Sequence, residues 1–243
     1  MIPTIQAGQF GRRSPFDPYR AWCKLLLHCE GTNGSTSFPD NGPLAKTVTA
    51  FGNAQVDTSQ SSLGAASLLL DGTGDYLRVP NSGDYDFGAG DFFIRLRIKS
   101  GNTTANNYAV IGAWGSSQSS WVLYKDASVN YMSLYASSNG TSWDIYSGQN
   151  MSGLWTAQSA FTELGFGRKG NTVGLWQDGA STNTESLSAT LWAGGSNLYI
   201  GADTGGGAGL NGRLDEIHIL KGVCPITPGS SYIPAKIPFP NAG

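Results

Sequence analysis

The side chains best suited to chemistry in this chain are its glutamates (Glu30, Glu163, Glu185, Glu216), its two histidines (His28, His218) and its seven tryptophans. Carboxylates at alternate positions of a strand share a face, the arrangement that lets one act as acid and the other as nucleophile in glycoside hydrolysis. The residues two places after the glutamates are Thr32, Gly165, Leu187 and His218. No strand carries such a pair, so a glycosidase of that design is not expected. There is no Gly-x-Ser-x-Gly turn for a serine nucleophile. Neither Cys-x-x-Cys nor His-Glu-x-x-His occurs, which removes the usual zinc spacings. Gly205-Gly206-Gly207-Ala208-Gly209 leads into a strand with no lysine and no helix behind it, so it reads as a turn rather than a phosphate cradle.

Aromatic side chains are the remaining candidates. Sugar sites combine exposed aromatic faces with amides, carboxylates and backbone groups. Trp143 follows Asn139-Gly140-Thr141-Ser142 and Trp121 follows Ser116-Ser117-Gln118-Ser119-Ser120, both loop-like settings. These two are the expected ligand-binding residues, with core filling as the competing role. Trp114 and Trp176 are expected in the core, and Tyr124, Tyr131, Tyr135 and Tyr146 lie in the same region.

The elements that must position these residues are strands. Arg213–Lys221 alternates, with Ile217 and Ile219 on one face and Glu216 and His218 on the other. Its expected antiparallel partner is Ala21–Glu30. Pairing residues whose numbers add up to about 246 sets Glu30 against Glu216 and His28 against His218, and brings Cys23 near Cys224. Like charges face to face destabilise a sheet unless something neutralises them. Further strands are expected at 47–50, 54–57, 66–70, 75–79, 92–99, 108–113, 120–125, 131–136, 142–147, 162–168, 172–177, 184–189 and 197–201. In Phe92–Lys99, Ile94, Leu96 and Ile98 face in while Arg95, Arg97 and Lys99 face out. Gly170-Asn171 and Asp178-Gly179 are hairpin signals. The pattern predicts an all-β fold, a two-sheet antiparallel jelly-roll sandwich over 21–224. Proline-bearing extended arms flank it at 1–20 and 225–243.

Composition narrows the function. The chain has 243 residues, 40% of them hydrophobic, 13% charged, with a net charge of −2 and 34 glycines. So weak a charge gives no electrostatic grip on nucleic acid, and no apolar run is long enough to span a bilayer. Residues 1–20 lack the apolar stretch of a secretion signal, which points to synthesis in a cytosol; three cysteines, an odd number, fit free thiols there.

Three motifs carry a resemblance. Leu25-Leu26-Leu27-His28-Cys29-Glu30-Gly31, Ser67–Val79, and Asn197–Gly201 followed by Gly212…Asp215-Glu216-Ile217 resemble, in matching order, laminin-G-like members of the concanavalin A-like lectin/glucanase superfamily. The resemblance implies a jelly roll and a lectin-like, non-enzymatic role. It also implies calcium held by Glu30, Asp71 and Asp215; the alternative is that Asp215 caps a turn. Single-domain proteins of this kind resemble bacteriophage virion components such as tail fibres, spikes and capsid decorations. The expected partners are therefore other virion chains reached through the arms, further copies of the chain, and a host-surface glycan. A free lectin and a glycan-processing enzyme of unfamiliar type are the alternatives.

Overall fold

The computed structural model describes residues 18–101, 106–115, 119–127, 129–152, 155 and 157–241. The strands are β1 (Cys23–Leu27), β2 (Thr49–Phe51), β3 (Gln55–Asp57), β4 (Ser67–Asp71), β5 (Tyr76–Val79), β6 (Phe92–Ser100), β7 (Tyr108–Ala113), β8 (Trp121–Lys125), β9 (Met132–Ala136), β10 (Tyr146–Asn150), β11 (Thr162–Lys169), β12 (Thr172–Gln177), β13 (Ala180–Ser186), β14 (Leu198–Ile200) and β15 (Asn211–Lys221). They form two antiparallel sheets. One runs β13-β12-β11-β6-β15-β4-β3, with β1 also paired to β15; the other runs β10-β9-β8-β7-β14-β5-β2. The expected all-β sandwich is the observed architecture. Leu25, Leu27, Ile94, Leu96, Ile98, Ile217 and Ile219 all lie in the core between the sheets.

β15 organises the larger sheet. One edge pairs with β6 throughout; the other pairs with β4 over Asn211–Leu214 and then with β1 over Ile217–Leu220. The hand-over falls at Asp215 and Glu216, where the register against β6 shifts and Glu216 takes φ +49°. A bulge there lets Leu214 and Ile217, three positions apart, both face the core.

The register of β1 against β15 differs from expectation. Observed partners are Leu25 with Ile219 and Leu27 with Ile217, two positions away from the expected pairing. An even shift keeps every side chain on its face, so the core residues come out right while the cross-strand partners change. His28 therefore meets Glu216, and the two glutamates do not oppose each other. Cys23, Cys29 and Cys224 are free and buried, Cys23 and Cys224 within one apolar cluster.

The C-terminal arm is extended, but it lies on its own molecule. It covers the outer face of the larger sheet, where Tyr232 packs edge-on against Phe93 and Trp176. Trp176 donates its indole N–H to the Ser230 carbonyl at 2.7 Å, and the Tyr232 hydroxyl donates to Glu163 at 2.6 Å. The Arg95 guanidinium stacks on Phe239, 3.7 Å from the ring centroid. The outward-facing Arg95 expected from the alternation is thus roofed over and buried. Its aromatic anchors Tyr232 and Phe239 are committed internally, while Ile233 and Ile237 stay exposed. Of the N-terminal arm, residues 1–17 lie outside the described residues; Tyr19 is buried beside Cys23 and Leu26.

Candidate functional site

The carboxylates expected to hold calcium sit at the β1–β15 end of the larger sheet and beyond it. Asp215 accepts the backbone N–H groups of Ser62 (2.8 Å) and Leu63 (3.0 Å). Glu30 accepts those of Ala65 (2.7 Å) and Ala66 (3.3 Å). Two carboxylates thus anchor one loop before β4, the turn-capping role given as the alternative to metal binding. Asp71 is exposed and engaged elsewhere, with the Thr73 N–H at 2.7 Å and the Asn53 amide at 3.0 Å. Among the described residues no group of three or more His, Cys, Asp or Glu is arranged to hold a metal ion. Burial pushes the Asp215 carboxyl up to about 7, and its second oxygen is buried without a hydrogen-bond partner.

Beside Asp215, His28 lies between two oxygens, Glu216 Oε1 at Nδ1 and Asn241 Oδ1 at Nε2, each 2.7 Å away. Two acceptors call for two N–H donors, which is the imidazolium form. Burial works against that charge, but hydrogen bonding and attraction from Glu216 outweigh it and hold the His28 pKa above its usual value. Glu216 also accepts the Phe239 N–H at 3.1 Å, so this pair fastens the end of the C-terminal arm. His218 is driven the other way: burial, then Arg95, keeps it neutral.

The ligand-binding expectations divide. Trp121 is fully buried between the sheets, stacked near Phe87 and Phe92, with its indole N–H donated to the Tyr85 carbonyl at 3.1 Å. No face of it reaches solvent, so it is a core residue and that expectation is corrected. Parity gives the reason: Trp121 and Leu123 point inward from β8, which leaves Tyr124 to point outward.

Trp143 is half-buried on the outer face of the smaller sheet, joined to three other rings. Trp114 stacks near Tyr124 (6.0 Å between centroids), Tyr124 meets Tyr135 edge-on (5.7 Å), Tyr135 meets Trp143 edge-on (5.6 Å), and Trp143 returns to Trp114 (6.1 Å). The four contacts close a circuit of partly exposed aromatic rings. Trp114, expected in the core, belongs to this face. Across the same sheet, Tyr199 on β14 and Tyr76 on β5 continue the stripe (5.8 Å apart), and Phe51 on β2 stacks on Tyr76 at 4.6 Å.

Polar groups border these rings. The Tyr135 hydroxyl donates to Asp126 Oδ2 at 2.5 Å. Burial first, then Asp126 and Asp203, push the Tyr124 phenol up to about 12, which places both carboxylates near that ring. Asp144, next to Trp143, caps its loop by accepting the Ser138 N–H at 2.8 Å. Aromatic faces beside fixed carboxylates and hydroxyls can stack on the C–H side of a pyranose while accepting its hydroxyl protons. Sequence reasoning passed over Asp126, and it did not give Tyr124 and Tyr135 the leading place. The available signal was their outward parity in strands whose other positions are core.

A family model described as the Concanavalin A-like lectin/glucanases superfamily matches residues 71–224, more than half of the chain. The chain belongs to this superfamily. No curated protein sequence matches it. Among solved structures it is similar to the binding domain of Paraclostridial Mosquitocidal Protein 1, with 12% identity, a TM-score of 0.64, and coverage of 85% of this chain and 51% of that one. The receptor binding domain of botulinum neurotoxin C/D mosaic serotype aligns with 14% identity and a TM-score of 0.61, over 85% of this chain and 49% of that one. A structure of botulinum neurotoxin type C, described as entering cells through interaction with two ganglioside molecules, gives 11% identity and a TM-score of 0.62, over 85% and 50%. The superfamily domain thus spans about half the length of these solved chains, and at such identity the likeness concerns the fold.

Proposed function

We propose that this domain is a glycan-recognition module whose contact surface is the outer aromatic face of the smaller sheet. The observation that carries the reading is the closed circuit of Trp114, Tyr124, Tyr135 and Trp143, partly exposed and bordered by Asp126. The opposite outer face, by contrast, is sealed by the chain's own C-terminal segment. Two of the solved structures of similar fold are described as binding domains, and a third by a cell entry that depends on interaction with two ganglioside molecules, which agrees with recognition rather than catalysis. The lack of paired carboxylates on any strand points the same way. A glycan array probed with the wild type and with Trp143→Ala tests the reading. Discrete positive glycans that the variant loses support it; a blank array, or the same pattern from the variant, removes it.

A place in a larger particle such as a phage virion is carried by the N-terminal arm, where Ile2, Ile5, Phe10 and Phe16 offer apolar anchors among prolines and glycines. Deleting residues 1–20 should leave a folded sandwich that no longer joins the particle. Normal incorporation of the truncated chain would remove that role.

A further inference from the structure

We infer that the aromatic face selects uncharged glycans and turns away sialylated or sulfated ones, with Asp126 as the residue that sets this preference. The inference rests on the glycan-binding reading above and names the class of sugar it takes.

The geometry puts negative charge where the ligand would sit. Asp126 is hydrogen-bonded directly to a member of the circuit, Tyr135. The neighbouring strand packs its backbone, without a side chain, against the half-buried pair. Gly148 of β10, at φ +87°, faces it with no side chain, and a Cβ there would come within 3.2 Å of the Tyr135 hydroxyl and 3.7 Å of Asp126 Oδ2. Asp203 of the β14–β15 loop acts on the Tyr124 phenol by its charge, after burial and Asp126, and Asp144 follows Trp143 in the chain.

The basic groups are placed differently. Lys125 points inward, is 1% exposed, and donates its ammonium to the carbonyl of Asp126 rather than to the outer face. Arg78 lies over Phe51, 4.8 Å from the ring centroid, on β5. In this sheet β5 is three strands from β8, so Arg78 is about 14 Å or more from Tyr124. That exceeds the screening length at physiological salt, about 8 Å. An uncharged sugar meets stacking surface and hydroxyl acceptors here, while a sugar carboxylate meets like charge from Asp126, which among the described residues is offset nearby by the buried Lys125 ammonium alone.

The test immobilises lactose and sialyllactose, which differ by one anionic residue, and measures binding of the full chain and of Asp126→Asn. Asparagine keeps an acceptor for Tyr135 and removes the charge. We expect the wild type to prefer lactose by a factor on the order of fivefold at about 0.1 M salt, where the screening length of about 10 Å still leaves Arg78 out of range. The preference should shrink as salt is added and narrow in the variant. Equal or tighter binding of sialyllactose by the wild type overturns this inference while leaving glycan recognition standing. A lactose preference that salt does not change also overturns it, even if the variant fails to fold. Binding of neither sugar, when the array has shown other glycans bound, is answered by the same comparison on the best array hit and its sialylated form; a blank array removes both readings.

Discussion

His28 and Asp215 are single residues that make the domain's stability depend on pH. A histidine whose folded pKa is raised contributes stability that is complete below its unfolded value, about 6.5, and is lost as pH rises through the folded value. Asp215, pushed up to about 7 by burial, has the same sign, because the folded state favours its protonated form. His218, kept neutral, opposes them, but only below about 6.5, where the unfolded chain takes up the proton. The clean window is therefore pH 6.5 to 8. There the melting temperature should fall as pH rises, and His28→Gln should flatten that slope; an unchanged slope in the variant would show that the link to Glu216 and Asn241 carries none of it. Calcium is tested at the same residues. Because Asp215 and Glu30 already accept backbone N–H groups, chelation should leave the wild-type melting curve in place. A chelator-dependent drop that Asp215→Ala abolishes would restore the metal, since a ligand bound only by the folded state must stabilise it.

Parity was the most legible feature of the strands and register the least. Period-two alternation in Phe92–Ser100 and Asn211–Lys221 located the core face, but alternation alone does not say which residue a neighbour pairs with. A two-place error in the β1–β15 pairing exchanged a clash of glutamates for a histidine–glutamate link. Edge strands were legible only in part. Ala180–Ser186 holds no large apolar residue and is half-buried to exposed along its length, so the signal near it came from Leu187, which is buried just beyond its end. Where the C-terminal segment lies was not legible, because proline density reports extended chain but not what the chain lies against. Its anchoring makes a prediction for the element: Tyr232→Ala, which deletes a ring between Phe93 and Trp176 and a hydrogen bond to Glu163, should cost about 3 kcal/mol in denaturant unfolding. It should also speed proteolysis after Cys224. A variant of unchanged stability and protease resistance would show the segment is held by its other contacts.

At the scale of the whole molecule, two faces of one sandwich have opposite fates. The larger sheet's outer face is closed by the C-terminal segment, while the smaller sheet's outer face leaves its aromatic rings partly open. Fold class and superfamily were readable from motifs spread along the chain. The proposed recognition face was not, because Trp114, Tyr124, Tyr135 and Trp143 come from four separate stretches that only the sheet order brings together. Among the described residues no helix is long and apolar enough to cross a membrane, and the chain's net charge is −2. The most direct measurement is a calorimetric titration of the strongest array glycan into the wild type and into Trp143→Ala. The account predicts saturable binding by the wild type, weakened about thirtyfold in the variant, as for an aromatic that contributes about 2 kcal/mol at the centre of a contact. Equal affinity in the two proteins would contradict it and place recognition elsewhere on the molecule.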